Sequence, residues 1–142
     1  MIVGIDPGER RVGVAVADLA TRFARPFEVI DRQEVDAVGR ISAIVRELRA
    51  ELVVVGRPTG LSGRAGPAVE SQRDFVAEMT DALSVEVREF DERFTSVVAD
   101  RGLRSAGVKA KDLKSRRDAV AAQVMLQDYL DATKPSIEEE RA

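Results

Sequence analysis

The chain has 142 residues, enough for one domain with a sizeable core, and a net charge of −3. With 44% hydrophobic and 33% charged residues it has the make-up of a globular protein, and no apolar run approaches the ~18 residues of a membrane span. It contains neither cysteine nor histidine, which excludes disulfides, thiolate chemistry, Ser-His-Asp triads and histidine-ligated zinc. Any catalysis must use carboxylates, hydroxyls, lysine, arginine or a metal held by oxygens.

The chain opens MIVGIDPGERRVGVAVAD. Residues 1–6 and 11–17 read as two strands joined by a hairpin turn at Pro7-Gly8-Glu9-Arg10. No charged segment followed by an apolar core precedes them, so secretion is not expected. Residues 25–31 (RPFEVID) form a third, weaker strand. From Glu34 to Ala50, Val35, Val38, Ile41, Val45 and Leu48 share one helical face. LVVVG at 52–56 is a short, wholly apolar strand, buried on both sides. A glycine-rich loop, RPTGLSGRAG, follows; it lacks the Gly-Lys-Ser/Thr of a P-loop. It is either a flexible connection or a strand-to-helix turn suited to phosphate oxygens. Pro67 to Leu83 is a helix with Val69, Val76, Met79 and Leu83 inward, and Val85–Phe90 a fifth strand. Thr95–Ala106 is a helix ended by Gly107, and Ser115–Ala132 the last helix. The acidic stretch 134–142 reads as a frayed tail after a single domain over 1–133.

Three leading strands with tight connections give an antiparallel meander, and later strands alternating with helices join by parallel crossovers. The expected fold is α/β: one mixed five-stranded sheet with helices on both faces and the first strand in its middle. Asp6 then lies near the centre of the molecule, where a lone charge costs several kcal/mol unless it is paired or bound to a metal.

Three acids are candidates for a shared site: Asp6, Glu92 at the end of the fifth strand, and Asp118 at the start of the last helix. Ala119, Ala121 and Ala122 let that helix lie close to the sheet. Together these carboxylates can hold two Mg²⁺ or Mn²⁺ ions, which favour oxygen ligands. Such a pair activates water and stabilises the leaving oxygen of a phosphodiester. Each acid also has a plainer role open to it. Asp118 completes a capping box, Ser115-Arg116-Arg117-Asp118, and Glu92 can pair with Arg93. Asp18 stands well over ~10 Å along the second strand from Asp6, so it cannot join the same metal and reads as a turn residue.

GIDPGERRVGVAVAD resembles the first motif of the YqgF/RuvX family, whose members are described as pre-16S rRNA nucleases and as Holliday junction resolvases. VVVGRPTGLSGRAG, DERFTS and RDAVAAQVMLQDYL resemble its second, third and last motifs, in order and with family-like spacing. The resemblance implies an RNase H-like fold with strand order 3-2-1-4-5 and a metal-dependent nuclease of the bacterial cytoplasm. The acids of the family motifs fall on Asp6, Glu92 and Asp118, and the basic pair of the first motif falls on Arg10 and Arg11. One departure separates the chain from RuvC-type resolvases: where those end the fourth strand with a glutamate, this sequence reads Val55-Gly56-Arg57. The acid must then come from the fifth strand, two spacings or ~9.6 Å from Asp6.

A net charge of −3 gives no global pull on nucleic acid, so the attraction must be local. Residues 101–117 hold seven basic residues and one acid, Asp112. Arg10, Arg11, Arg57 and Arg93 beside the acids, with Lys109, Lys111, Lys114, Arg116 and Arg117, form the expected nucleic-acid contact. The expected partner is structured RNA, with branched DNA as the alternative; a non-catalytic nucleic-acid-binding module is the rival from another class. An actin-like or sugar-kinase ATPase would need a second copy of the unit, which is absent. No residues mark a dimer face, so a monomer or weak homodimer is expected, and no membrane contact.

Overall fold

The computed structural model describes residues 1–57, 67–91 and 110–133, with side chains described for 1–56, 72–90 and 119–133. Strands β1 (Ile2–Pro7), β2 (Arg11–Ala17) and β3 (Ala24–Asp31) lead into helix α1 (Ala37–Leu48). Then come β4 (Leu52–Arg57), α2 (Pro67–Ala82), β5 (Glu86–Asp91) and α3 (Ala110–Ala132). The five strands form one sheet in the order β3-β2-β1-β4-β5. β1 pairs antiparallel with β2 and parallel with β4, so the meander and the crossovers expected from the sequence meet at the central strand. The helix expected over Thr95–Ala106 and the tail 134–142 lie outside the described residues.

The two faces of the sheet are built differently. Val3, Ile5, Val12, Val14, Val16, Val53 and Val55 point to one side and pack with Ile41, Ile44 and Val45 of α1 and Phe75 and Met79 of α2. The opposite side carries Ile2, Ala15, Ala17 and Val54, covered by Ala122, Met125, Leu126, Tyr129 and Leu130 of α3. The first face is branched and bulky; the second is dominated by small residues, so α3 can lie close to the strands. That approach is tightest at Gly4, where a Cβ would stand 2.9 Å from the Cβ of Leu126. A glycine in a buried strand normally weakens it, and close backbone approach of another element is one reason to keep it.

The edge strand β3 is anchored to both layers. Gln127 of α3 accepts the Ala24 amide at 2.9 Å and donates to the Arg22 carbonyl at 3.1 Å, while Gln123 donates to the Ala24 carbonyl at 3.1 Å. On the other side, Arg40 of α1 grips Glu28 with both Nε (2.8 Å) and Nη2 (2.7 Å). This fork holds the Glu28 carboxyl below its ordinary pKa.

Two helix starts differ from the sequence reading. α1 begins at Ala37, and Val35, expected on its inner face, is 49% exposed. Asp31 is the reason: its side chain accepts the Gln33 amide and its carbonyl the amides of Glu34 and Val35, closing a turn before the helix. α3 begins at Ala110, ahead of the expected Ser115, because no glycine or proline interrupts the chain between Gly107 and Pro135. Ser115 is therefore inside the helix and not at its N-cap.

The Arg40–Glu28 fork carries a pH signature. A carboxyl whose folded pKa is depressed contributes stability above its unfolded pKa and loses it as pH falls through the folded value. Glu28→Gln should therefore lower the urea midpoint at pH 7, and the gap to the unaltered protein should close as the pH is taken below 4.5, the ordinary pKa of such a carboxyl. A gap that stays constant down to the acid end would show that the fork adds nothing through charge.

Candidate active site

Asp6 stands near the C-terminal end of the central strand and is half-buried. Its register partner on β2 is Gly13. Ile5 is level with Val55 on β4, so Gly56 follows alongside Asp6, and Gly56 is level with Phe90 on β5. In-register neighbours of a sheet share a face. One row therefore runs Gly13, Asp6, Gly56, Phe90, and it faces α3, as Gly4 and Ile2 do two and four positions earlier in β1. The two flanking positions in this row are glycine, so neither neighbouring strand adds a side chain of its own level with Asp6.

The hairpin after Asp6 is tight. The Gly8 amide donates to the Arg11 carbonyl at 2.9 Å, and a Cβ at Gly8 would stand 2.6 Å from that same oxygen, so only glycine fits. The turn presents Arg10, whose exposed side chain brings Nε to 3.6 Å from Asp31 Oδ2. Arg11 is half-buried and lies two residues before Gly13, hence on the face of Asp6. Asp18 sits at the opposite end of the sheet and accepts the Ala20 amide at 2.7 Å, the turn role expected of it.

Helix α3 runs from the Asp6 end of the sheet to the far end. Leu126 lies against Gly4, and Gln127 and Leu130 bond to Ala24 and Arg22 beyond the end of β2. Asp118 precedes buried Ala122 by about one turn, toward the Asp6 end, on the helical stripe that continues through Met125. Its side chain, and those of Lys111, Lys114, Arg116 and Arg117 on the same helix, are outside the described set, as is that of Arg57 at the end of β4. Glu92, Arg93 and Lys109 lie outside the described residues altogether. Among the described residues no three acidic side chains gather.

The outer strand β5 is fixed to α3 by a small polar knot. Arg88 Nη1 donates to the Tyr129 hydroxyl at 2.6 Å, and Arg88 also pairs with Glu86. These two hold the Arg88 proton more firmly than usual, Tyr129 contributing most. The Phe90 ring meets Tyr129 edge-on, with centroids 5.5 Å apart. Phe90 is thus held on the Asp6 face, two residues before Glu92 in the sequence. On the other layer, Gln72 of α2 donates to the Gly56 carbonyl at 2.7 Å, fixing the end of β4 beside Asp6. Sequence reading missed Gln72. It missed Gly4 too, although a glycine inside a buried strand was a visible signal.

The family model "RuvX: Holliday junction resolvase" matches residues 1–132. A relative from Chloroflexus aurantiacus, named "Putative pre-16S rRNA nuclease", is 42% identical over 133 residues, covering 93% of this chain and 87% of its own. One of the same name from Anaeromyxobacter dehalogenans is 39% identical over 134 residues, covering 94% and 98%. Among solved structures, the fowlpox virus resolvase bound to Holliday junction DNA superposes with a TM-score of 0.58 at 10% identity, over 94% of this chain and 99% of that one. The Thermus thermophilus RuvC complex with a Holliday junction gives 0.52 at 22% identity, over 92% and 93%. The chain shares the RNase H-like fold of these resolvases.

The Gly4–Leu126 contact yields a direct test. Gly4→Ala must push α3 away from β1, and overpacking of this kind should cost ~1–3 kcal/mol in urea unfolding. A loss below ~0.5 kcal/mol would mean that the helix gives way freely and is not held by this contact.

Proposed function

The chain belongs to the RuvX family of Holliday junction resolvases, and on that premise we propose that it is a divalent-metal-dependent nuclease of the cytoplasm that processes the 5′ end of pre-16S rRNA. The observation that carries the reading is the half-buried Asp6 near the C-terminal end of the central strand, with a glycine level with it on either neighbouring strand. The relatives' name supports rRNA as substrate. The family description, and the junction DNA bound by two proteins of the same fold, support branched DNA as the second reading. Among the described residues no helix is long and apolar enough to cross a membrane.

The donor set fits a hard cation, since a chain without histidine or cysteine offers oxygen ligands. Asp6, Glu92 and Asp118 would hold Mg²⁺ or Mn²⁺. When bound, a pair of such ions activates the attacking water and neutralises the leaving oxygen of the phosphodiester. The protein's own part is positioning. Asp6 is set by the central strand. Glu92 follows two residues after Phe90, which the Tyr129 contact keeps on the Asp6 face. Asp118 belongs to the helix seated on Gly4. Arg10 and Arg11 follow Asp6 across the turn, Arg57 follows Gly56 at the end of β4, and Arg93 follows Glu92; these four take the phosphates flanking the cut. Lys109, Lys111, Lys114, Arg116 and Arg117 lead a strand along α3 toward the acids. The nuclease acts as a monomer or weak homodimer.

The deciding experiment offers a precursor rRNA fragment and a four-way DNA junction side by side, with Mg²⁺ or Mn²⁺ and with EDTA. Cutting should need the metal, and Asp6→Asn should abolish it without lowering the melting temperature, because it removes repulsion among neighbouring carboxylates. Glu92→Gln and Asp118→Asn should do the same, with Asp18→Asn close to unaltered. Undiminished cutting in excess EDTA, or full activity in Asp6→Asn, would sink the assignment.

Binding tests the basic stretch separately. Each neutralised phosphate steepens the dependence of log K on log salt by ~0.7 for single strands and ~0.9 for duplex. Replacing Lys109, Lys111 and Lys114 together with alanine should weaken binding and flatten that slope by up to ~2 to 3. An unchanged slope would mean that the substrate is held elsewhere.

A further inference from the structure

We infer that Arg32 is a positioning residue for this site: it clamps the turn after Asp6 to helix α2 on the other face of the sheet. The inference rests on the nuclease reading of Asp6 and the basic pair. Arg32 follows β3, outside every motif used above, and makes three contacts at once. Its amide donates to the Arg10 carbonyl at 2.8 Å. Its Nη1 donates to the Gly8 carbonyl at 3.0 Å. Its guanidinium carbon stands 4.7 Å from the ring centre of Phe75, a residue of α2 only 3% exposed.

The geometry explains why this residue is an arginine. A planar cation can lie flat on an aromatic ring and still direct an edge N–H at a carbonyl in its own plane. A lysine offers one compact donor head and cannot do both well. The two carbonyls it and its amide hold, Gly8 and Arg10, belong to the hairpin turn, and a hairpin turn has few other ties to the body of the protein. Gly8 is closed onto Arg11 by its own amide, but that bond lies within the turn and leaves its orientation free. Arg32 supplies an external anchor, closer than the Arg10–Asp31 pair at 3.6 Å. Gln72, on the same helix as Phe75, holds the Gly56 carbonyl at 2.7 Å. α2 therefore braces both strands that end beside Asp6, β1 through Arg32 and β4 through Gln72.

A group placed this way acts through the turn that carries Arg10 and Arg11 and touches no reacting atom. Loosening it should cost kcat more than KM, because misplacement by an ångström removes interactions made in the transition state. The test uses the full chain with Arg32→Ala, Arg32→Lys and Phe75→Leu, the last keeping apolar volume while removing the ring. Hydrogen exchange of the Gly8 amide reports the turn directly. Arg32→Ala should speed that exchange about tenfold and lower kcat for the precursor rRNA fragment by about tenfold or more. KM should stay within about twofold. Arg32→Lys should recover part of both losses, and Phe75→Leu should show a smaller effect in the same direction. Unchanged Gly8 exchange in Arg32→Ala and Phe75→Leu overturns the inference, as does faster exchange with kcat unaltered. The exchange measurement needs no substrate. Failure of the nuclease reading, seen as no cutting by the unaltered protein, is thus told apart from failure of the clamp.

Discussion

The contact between Gly4 and Leu126 is the constraint on which the site depends. A helix can approach a sheet closely only where the strand beneath it carries no side chain, and Gly4 supplies that at the centre of β1. Ala15 and Ala17 on β2 and Ala122 on α3 extend the same low profile. Two turns of α3 toward its N-terminus from Leu126, and two residues of β1 toward its C-terminus from Gly4, bring the chain to Asp118 and Asp6. A bulkier residue at position 4 would separate those two elements without touching either acid.

The opposite face shows the complementary choice. Branched residues from four strands fill the space under α1 and α2, so that layer is a thick apolar core. Among the described residues its polar ties include Arg40 on Glu28 in the middle of β3 and, at strand ends, Gln72 on Gly56 and Arg32 on Gly8. The bulk of the apolar packing resists unfolding, while these end contacts set where each strand stops. A site at strand ends needs the second property more than the first.

Much of this was legible in the sequence, and the residues show why. The near-continuous apolar runs IVGID and VGVAVA, split by the turn residues from Pro7 to Arg10, set the hairpin, and the apolar run LVVVG set a buried parallel strand. The hairpin alone put Asp18 out of reach of Asp6, and the register of the structure pairs Asp6 with Gly13. Helix starts were harder. Val35 continues the helical period perfectly well, but the Asp31 turn takes the backbone amides first. Ser115 looked like a cap because capping is read from four residues, whereas the helix start depends on whether anything upstream stops it. Arg32 and Gln72 could not be found at all, since each acts on a backbone carbonyl from a distant segment and carries no pattern of its own.

The charge order along α3 argues for function over stability. A helix is favoured by acids in its first turns and bases in its last, each worth ~0.3–1 kcal/mol. This one does the reverse. Lys111, Lys114, Arg116 and Arg117 fall in its first third, and no basic residue stands in its last turn. Asp128 and Asp131 lie near the C-terminal end, where burial and the charge of Asp131 push the Asp128 carboxyl up. At the C-terminal end Arg22 offsets these acids, its Nη2 donating to the Leu130 carbonyl at 2.8 Å. The N-terminal third, with four bases against Asp112, is where the order runs against the macrodipole. On the nuclease reading that cost has a purpose: a protein of net charge −3 must attract phosphates locally, and these bases lie on the part of α3 nearest the Asp6 end of the sheet.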